Sequence, residues 1–219
     1  MRVIYIDCSN GISSDMVLSA LLEAGADSSF VDAEKEKIHR AIHGEDHGHA
    51  HRGYRQIMGL IDAAGLAEGT RQYLTDIYTV IAKAEAEVHG EDLDTVHFHE
   101  VGRDEALLNL TGTAAAAASF GPDSIICSPV HDGHGTIKCS HGIIPVPVPA
   151  VEAMKKYCDY IFVQDDVETE MVTPSGLGIL IGLGAVRGEK PEGTPVSKGE
   201  GKGSRDIGRT EGLKVSIYE

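Results

Sequence analysis

Two histidines flank a phenylalanine in the stretch Val96-His97-Phe98-His99-Glu100. Successive side chains of an extended chain point to opposite faces, so His97 and His99 are expected on one face, with Phe98 turned to the core. Two imidazoles with the carboxylate of Glu100 beside them form a half-site for a divalent metal. Glu100 could instead orient a histidine or act as a base, and an ordinary pair of surface histidines is the competing reading. Glu105 follows on the next helix. A second group lies at residues 43–53, HGEDHGHAHRG, which place His43, His47, His49 and His51 beside Glu45 and Asp46. Imidazole and carboxylate suit first-row ions such as nickel, copper and zinc. A loop of this composition would capture such an ion without holding it irreversibly; otherwise it is a solvated polar loop.

Three further places have the residue types for binding. Asp7 ends a strand-like run, where open α/β folds put their ligands, and it is either a metal ligand or the cap of a turn. Ser13 and Asp15 open a helix whose unpaired N–H groups favour an anion such as phosphate. Thr173-Pro174-Ser175-Gly176 opens another helix with the same property. Cys139 and His141 stand two residues apart, near His131 and His134, within reach of a metal or a thiolated ligand; a structural role competes there. The glycine-rich run GEGKGS at 199–204 lacks the spacing of a phosphate-binding loop and reads as a linker.

The elements that must position these groups follow from periodicity and punctuation. Val3–Asp7 reads as a buried strand and Cys8-Ser9-Asn10-Gly11 as a turn. A helix capped by Ser13 or Ser14 runs to Gly25 and carries Met16, Val17, Leu18, Leu21 and Leu22. A second spans Ser29 to Ile42. An amphipathic helix carries Ile57, Leu60, Ile61 and Ala64, and another, from near Thr70 to His89-Gly90, carries Leu74, Ile77, Ile81, Ala84 and Val88 on one face. Thr95–Glu100 is extended and leads into a helix over Asp104–Phe120, whose run Ala114–Ala118 permits close packing. In the second half Ser124–Cys127, Gly135–Cys139, Tyr160–Val163 and Leu213–Tyr218 read as strands. Pro145, Pro147 and Pro149 forbid helix and central strand there. Thr173-Pro174 starts a helix through Leu183, and residues 188–210 read as a flexible loop. The expected class is α/β (mixed α+β), one domain over 1–219, with helices in the first half and strands at the start and in the second half.

Composition narrows the function. A net charge of −15 makes nucleic acid an unexpected partner. No apolar run approaches the ~20 residues of a membrane helix, and the opening Met-Arg before VIYID is no signal peptide. The four cysteines, Cys8, Cys127, Cys139 and Cys158, include no C-x-x-C pair, which argues against a structural zinc site; their even count permits disulfides, but with no signal peptide or membrane helix reduced thiols in a cytoplasm are the simpler reading. A homo-oligomer is expected.

Taken in order, IDCSNGISSDM, AEAEVHGEDLDTVHFHEVG, SPVHDGHGTIKCSHGIIPVPVPA, ETEMVTPSG and GKGSRDIGRTEGLKVSI resemble the LarC family, the nickel-insertion proteins of nickel-pincer cofactor biosynthesis. The joint occurrence of VHFHEVG, HGIIPVPVPA and VTPSG gives the resemblance its specificity. It implies insertion of Ni(2+) into pyridinium-3,5-bisthiocarboxylic acid mononucleotide. It also implies metal binding by His97, His99 and Glu100, with the loop of His47, His49 and His51 as acceptor. Asp7 and Asp15 match the opening motif; Ser13, Thr173, Ser175, Gly176 and His141 are the candidates for holding the nucleotide ligand, and Glu100 or His99 for removing the ring proton. Full-length members are similar in using CTP, bound with a metal in a C-terminal domain. CTP use is therefore not expected of this chain alone, and a separate second half would supply it. The chain departs from the family pattern at Asn10, Ser14, Glu105 and Asn109, and lacks a strand-rich stretch after the second helix. A metallochaperone or cofactor-binding regulator is the alternative, and a structural subunit with an incidental histidine loop is a third reading. If histidines hold the nickel, affinity falls as pH drops through about 6.5, because imidazole must be neutral to bind; equilibrium dialysis across that range checks this, and a flat profile counts against histidine ligation.

Overall fold

The β-branched and aromatic residues at 3–7 form β1 (Val3–Asp7), the centre of a five-stranded sheet. The structure is a computed structural model and describes residues 1–44, 52–139, 142–205 and 207–219. Helices α1 (Ser14–Glu23), α2 (Ser28–Gly44), α3 (Tyr54–Ala63), α4 (Glu68–His89) and α5 (Asp104–Phe120) follow β1, before β2 (Ser124–Cys127), β3 (Val130–Asp132) and the hairpin β4 (Thr136–Cys139) and β5 (Gly142–Pro145). Then come α6 (Pro149–Met154), β6 (Phe162–Gln164), α7 (Pro174–Gly182), β7 (Val186–Arg187), β8 (Ser197–Gly201) and β9 (Leu213–Tyr218). The chain is thus mixed α/β, with strands at its start and in its second half.

The sheet order is β7-β2-β1-β9-β8. β1 pairs parallel with β2, Val3 opposite Ser124, and antiparallel with β9, Val3 opposite Tyr218. Alternation along the strands divides their residues. Ile4 and Ile6 join Ile125, Cys127, Val215 and Ile217 in the main core with the helices, whereas Val3, Tyr5 and Tyr218 form a small second cluster with Ile126. β3 pairs with β6 and β4 with β5 outside this sheet.

Close helix packing rests on small residues. A β-carbon at Gly178 would lie 2.6 Å from Cγ1 of Ile81, and one at Gly182 would lie 2.5 Å from the backbone nitrogen of Ile77. α7 therefore lies directly on α4 only because these positions, one helical turn apart, lack side chains. The alanines 114–117 of α5 are fully buried, as their size allows.

Several expectations change. Residues 188–210 are not one loop: β8 lies within them, paired to β9. Its glycines cross α1 so closely that a β-carbon at Gly199 would lie 2.0 Å from the carbonyl oxygen of Ala20, and one at Gly201 would lie 1.8 Å from that of Met16. The first half of the run read as a linker thus belongs to an edge strand, with Gly199 and Gly201 required by contact. Pro149 does not forbid helix but begins α6, because a helix's first residue needs no N–H partner. Val88 does not join the buried stripe of α4 and is 40% exposed, and Leu22 at the end of α1 is 37% exposed.

The Val96–Glu100 stretch is fixed by its backbone. Gly53 and His97 form an antiparallel bridge, with Tyr54 N donating to Val96 O at 3.1 Å and Phe98 N to Arg52 O at 3.0 Å. Arg52, itself buried, donates to Gly102 O at 3.1 Å and pairs with Asp104 at 2.5 Å. Phe98 is 1% exposed, its ring centroid 5.7 Å from that of Tyr78, whose hydroxyl donates to Val101 O at 2.9 Å. Replacing Phe98 by Ala should lower the unfolding free energy by about 3–5 kcal/mol, measured by urea denaturation; a loss near zero would mean that this ring does not anchor the segment.

Candidate functional site

Two helix starts are locked side by side. Ile12 and Val172 form a parallel bridge, in which Ile12 N donates to Met171 O at 2.8 Å and Thr173 N to Ile12 O at 3.0 Å. Gly11, at φ 81°, turns the chain into this contact, and a β-carbon there would lie 2.3 Å from Met171 O. Gly176 is needed for the same reason, since its β-carbon would lie 2.3 Å from Ile12 O. Asp132 braces the junction from beneath: its buried carboxylate accepts from the backbone N–H of Gly133 at 2.8 Å and of Met171 and Val172 at 3.0 Å.

Each helix is capped by a hydroxyl. Ser13 accepts from Met16 N at 3.4 Å, and Thr173 from Gly176 N at 3.0 Å; Thr173 and Ser175 share a hydroxyl–hydroxyl bond of 3.1 Å. First-turn N–H groups have no partner within a helix, and both helix dipoles present their positive ends here. The pair opens into a cleft of about 570 Å³ lined by Ser13, Ser14, Asp15, Thr173 and Ser175, a size usual for small-molecule and cofactor sites.

His99 and Glu100 line the same cleft, as do Glu85, His89 and Cys139. His89 Nε2 stands 3.4 Å from Glu85 Oε2, one helical turn away on α4, and the rings of His89 and His99 are 6.1 Å apart at their centroids. Among the described residues no three His, Cys, Asp or Glu side chains are grouped closely enough to hold a metal ion, and none of the described cysteines forms a disulfide.

The segment between β8 and β9 closes another side. Arg205, on the cleft wall, forms an ion pair with Glu170, whose side chain is 4% exposed. Burial holds the Glu170 carboxyl above the usual carboxylate range; Arg205 opposes this, and Asp132 and Glu100 add to it. Arg209 donates to Ser9 O at 2.7 Å and Asn10 Oδ1 at 3.1 Å, and pairs at 2.5 Å with Asp165, which also meets His131 Nδ1 at 2.9 Å. Burial pushes the Asp165 carboxyl up, but the bonds from His131 and Arg209 outweigh it and leave it below the usual range. Lys138 and Lys202 add positive charge to the cleft wall.

Of the residues expected from sequence, the cleft gathers Ser13, Asp15, His99, Glu100, Thr173 and Ser175. Asp15 is bonded to the Asn109 side chain. Gly176 serves by its lack of a side chain. His97 is exposed and lies against Gly53 instead of lining the cleft, so the pairing of His97 with His99 in one pocket is not observed; the segment bends after Phe98 and does not continue extended. Asp7 takes the other course that its position allowed, accepting from Ser9 N at 3.1 Å as the cap of the turn. His47, His49, His51 and His141 lie outside the described residues. Sequence reasoning missed Glu170, to whose stretch it gave no element, and Arg205 and Arg209, which sat in the stretch read as a flexible loop. It also missed Glu85 and His89, though their spacing of four on a helix was legible.

The family described as nickel insertion protein matches residues 4–46 and 37–219. The curated pyridinium-3,5-bisthiocarboxylic acid mononucleotide nickel insertion protein of Acetivibrio thermocellus is 36% identical over 245 residues, covering 99% of this chain and 60% of that protein. Proteins of the same name from Geobacillus kaustophilus and Staphylococcus epidermidis are 33% and 32% identical, covering 94% and 100% of this chain and 57% and 60% of their own lengths. The chain therefore spans about three fifths of the curated relatives it matches. No solved structure matches it.

A β-carbon at position 176 would push α7 away from Ile12. Gly176→Ala should cost about 1–3 kcal/mol of stability and weaken binding of inorganic phosphate, read by urea denaturation and calorimetry; unchanged values for both would show that the two helix starts need not touch.

Proposed function

We propose, on the premise that this chain belongs to the nickel insertion protein family, that its cleft holds a thiolated pyridinium mononucleotide while nickel is passed to it. The observation that carries this reading is that two helix N-termini open into the cleft that His99 and Glu100 also line. A phosphate monoester suits the helix starts at Ser13–Asp15 and Thr173–Ser175, where first-turn N–H groups and positive dipole ends add. Arg205, Arg209, Lys138 and Lys202 supply further positive charge, in a chain whose net charge is otherwise −15.

Nickel is the cargo in this reaction. His99 and Glu100 are its donors in the cleft, with Glu85 and His89 beside His99. Among the described residues no three such side chains are grouped closely enough to hold a metal ion together, and the loose grip of two donors suits a metal that must leave. Nitrogen and oxygen donors then lose it to the ligand's sulfurs, the softer donors. The ligand's name places its thiocarboxylates at ring positions 3 and 5, so a nickel ion held by both sulfurs faces the carbon between them. A carbon–nickel bond there requires that carbon's proton to leave.

Purified protein supplied with nickel(II) and the thiolated mononucleotide, with and without CTP, should form metallated product detectable by mass spectrometry. His99→Ala should slow its formation at least about tenfold, in line with the loss of one metal donor or its orienting partner. Retention of both nickel and ligand with no product in any arm would overturn the reading in favour of a metallochaperone.

A further inference from the structure

We propose that Glu170 takes the ring proton, and that it is uncovered when Arg205 leaves it for an anionic group of the bound mononucleotide. The inference rests on the nickel-insertion reading and replaces Glu100 or His99 as the base. Those two are the nickel donors in that reading, and a nitrogen or oxygen lone pair committed to a metal is not available to a proton.

The geometry singles out Glu170. It lines the cleft yet is 5% exposed, so its charge must be met from within the protein. Asp132 shows what a purely structural carboxylate looks like here: it accepts three backbone N–H groups of the junction between the two helix starts. Glu170 is instead met by a guanidinium arriving from another segment, Arg205 between β8 and β9. The pair is unequal in burial, with Glu170 at 4% and Arg205 at 46% side-chain exposure. One partner is fixed in the wall and the other reaches in from solvent.

That inequality makes the pair exchangeable. A guanidinium fits carboxylate, thiocarboxylate or phosphate through the same fork of N–H donors. A ligand anion entering the cleft competes for Arg205 directly. Once Arg205 turns to it, Glu170 keeps its place in the buried wall beside Asp132 and has lost the cation that opposed its burial, while Glu100 adds its charge only until it takes up nickel. Burial and Asp132 both favour binding of a proton. The base therefore becomes strong at the moment the ligand is in place.

The step balances without an oxidant or reductant. The C–H bond at the ring carbon between the two thiocarboxylates breaks. Its electron pair becomes the carbon–nickel bond, the proton goes to a carboxylate oxygen of Glu170, and nickel stays divalent. The proton passes to water when the product leaves and Arg205 returns.

Proton exchange on ligand binding tests this without requiring turnover. Calorimetry of the thiolated mononucleotide in two buffers of different ionisation enthalpy, at about pH 6 and without nickel, counts the protons taken up. The wild type should take up a measurable fraction of a proton more than Glu170→Gln, since the ligand's own phosphate contributes equally to both. Glu170→Gln keeps the shape of the side chain and an acceptor for Arg205. It should bind ligand and nickel within about threefold of wild type and metallate at least about 100-fold more slowly, the scale of a lost general base. Arg205→Met should bind the ligand more weakly and lose the extra uptake, because its Glu170 is already uncovered. Equal uptake by wild type and Glu170→Gln overturns the proposal, as does wild-type metallation by Glu170→Gln. Extra uptake by a wild type that never forms metallated product would instead overturn nickel insertion while supporting the exchange at Glu170.

Discussion

Two backbone hydrogen bonds, Ile12 N to Met171 O and Thr173 N to Ile12 O, join segments about 160 residues apart in sequence and decide what the rest of the molecule can do. They bring the N-terminal ends of α1 and α7 together, and the mutual repulsion of two positive dipole ends must be met by something stronger. Part of the answer is the buried carboxylate of Asp132, which accepts N–H groups from the Met171–Val172 backbone at this junction. A negative charge under the junction offsets the positive ends above it. Its raised carboxyl pKa, caused chiefly by burial, shows that this brace is held at some electrostatic expense.

The fold was legible where a local signal and the tertiary structure agree. α5 was expected over the residues it occupies, because Asp104 and Glu105 in its first turn and Gly121 just past its end punctuate it at both ends. α4 ends at Gly90, in the left-handed conformation, as the glycine suggested. β8 was illegible for a physical reason. SKGEG has almost no apolar character and forms a strand because its glycines let it cross α1 at backbone distance, a contact that no property of the segment itself announces. Val88 was misjudged because the stripe of α4 extends past the core into the wall of the cleft, where the helix is no longer covered.

The site was legible in its parts but not in its assembly. Serine or threonine before a helix is a strong local signal, and both caps are where the sequence put them. That the two caps share a cleft depends on pairing between distant segments, which spacing cannot reveal. The alternation argument for His97 and His99 assumes that the chain stays extended through Glu100; it does so only to Phe98, where the bridge to Gly53 ends, and the two rings part. Arg205 and Arg209 were hidden by the glycines around them, which made a wall of the cleft look like a connector.

The pairing of β1 with β9 has a consequence for how the chain reaches this shape. Val3 is opposite Tyr218, so the central strand acquires its second neighbour only from residues made more than 200 positions later. Contacts of such sequence separation slow folding, because the loop entropy is lost before the contacts are gained. During synthesis β1 waits with one edge bare, and its apolar face and unpaired backbone are then open to other nascent chains. A chaperone that shields the first strand on the ribosome would matter more for this protein than for one whose central strands are consecutive.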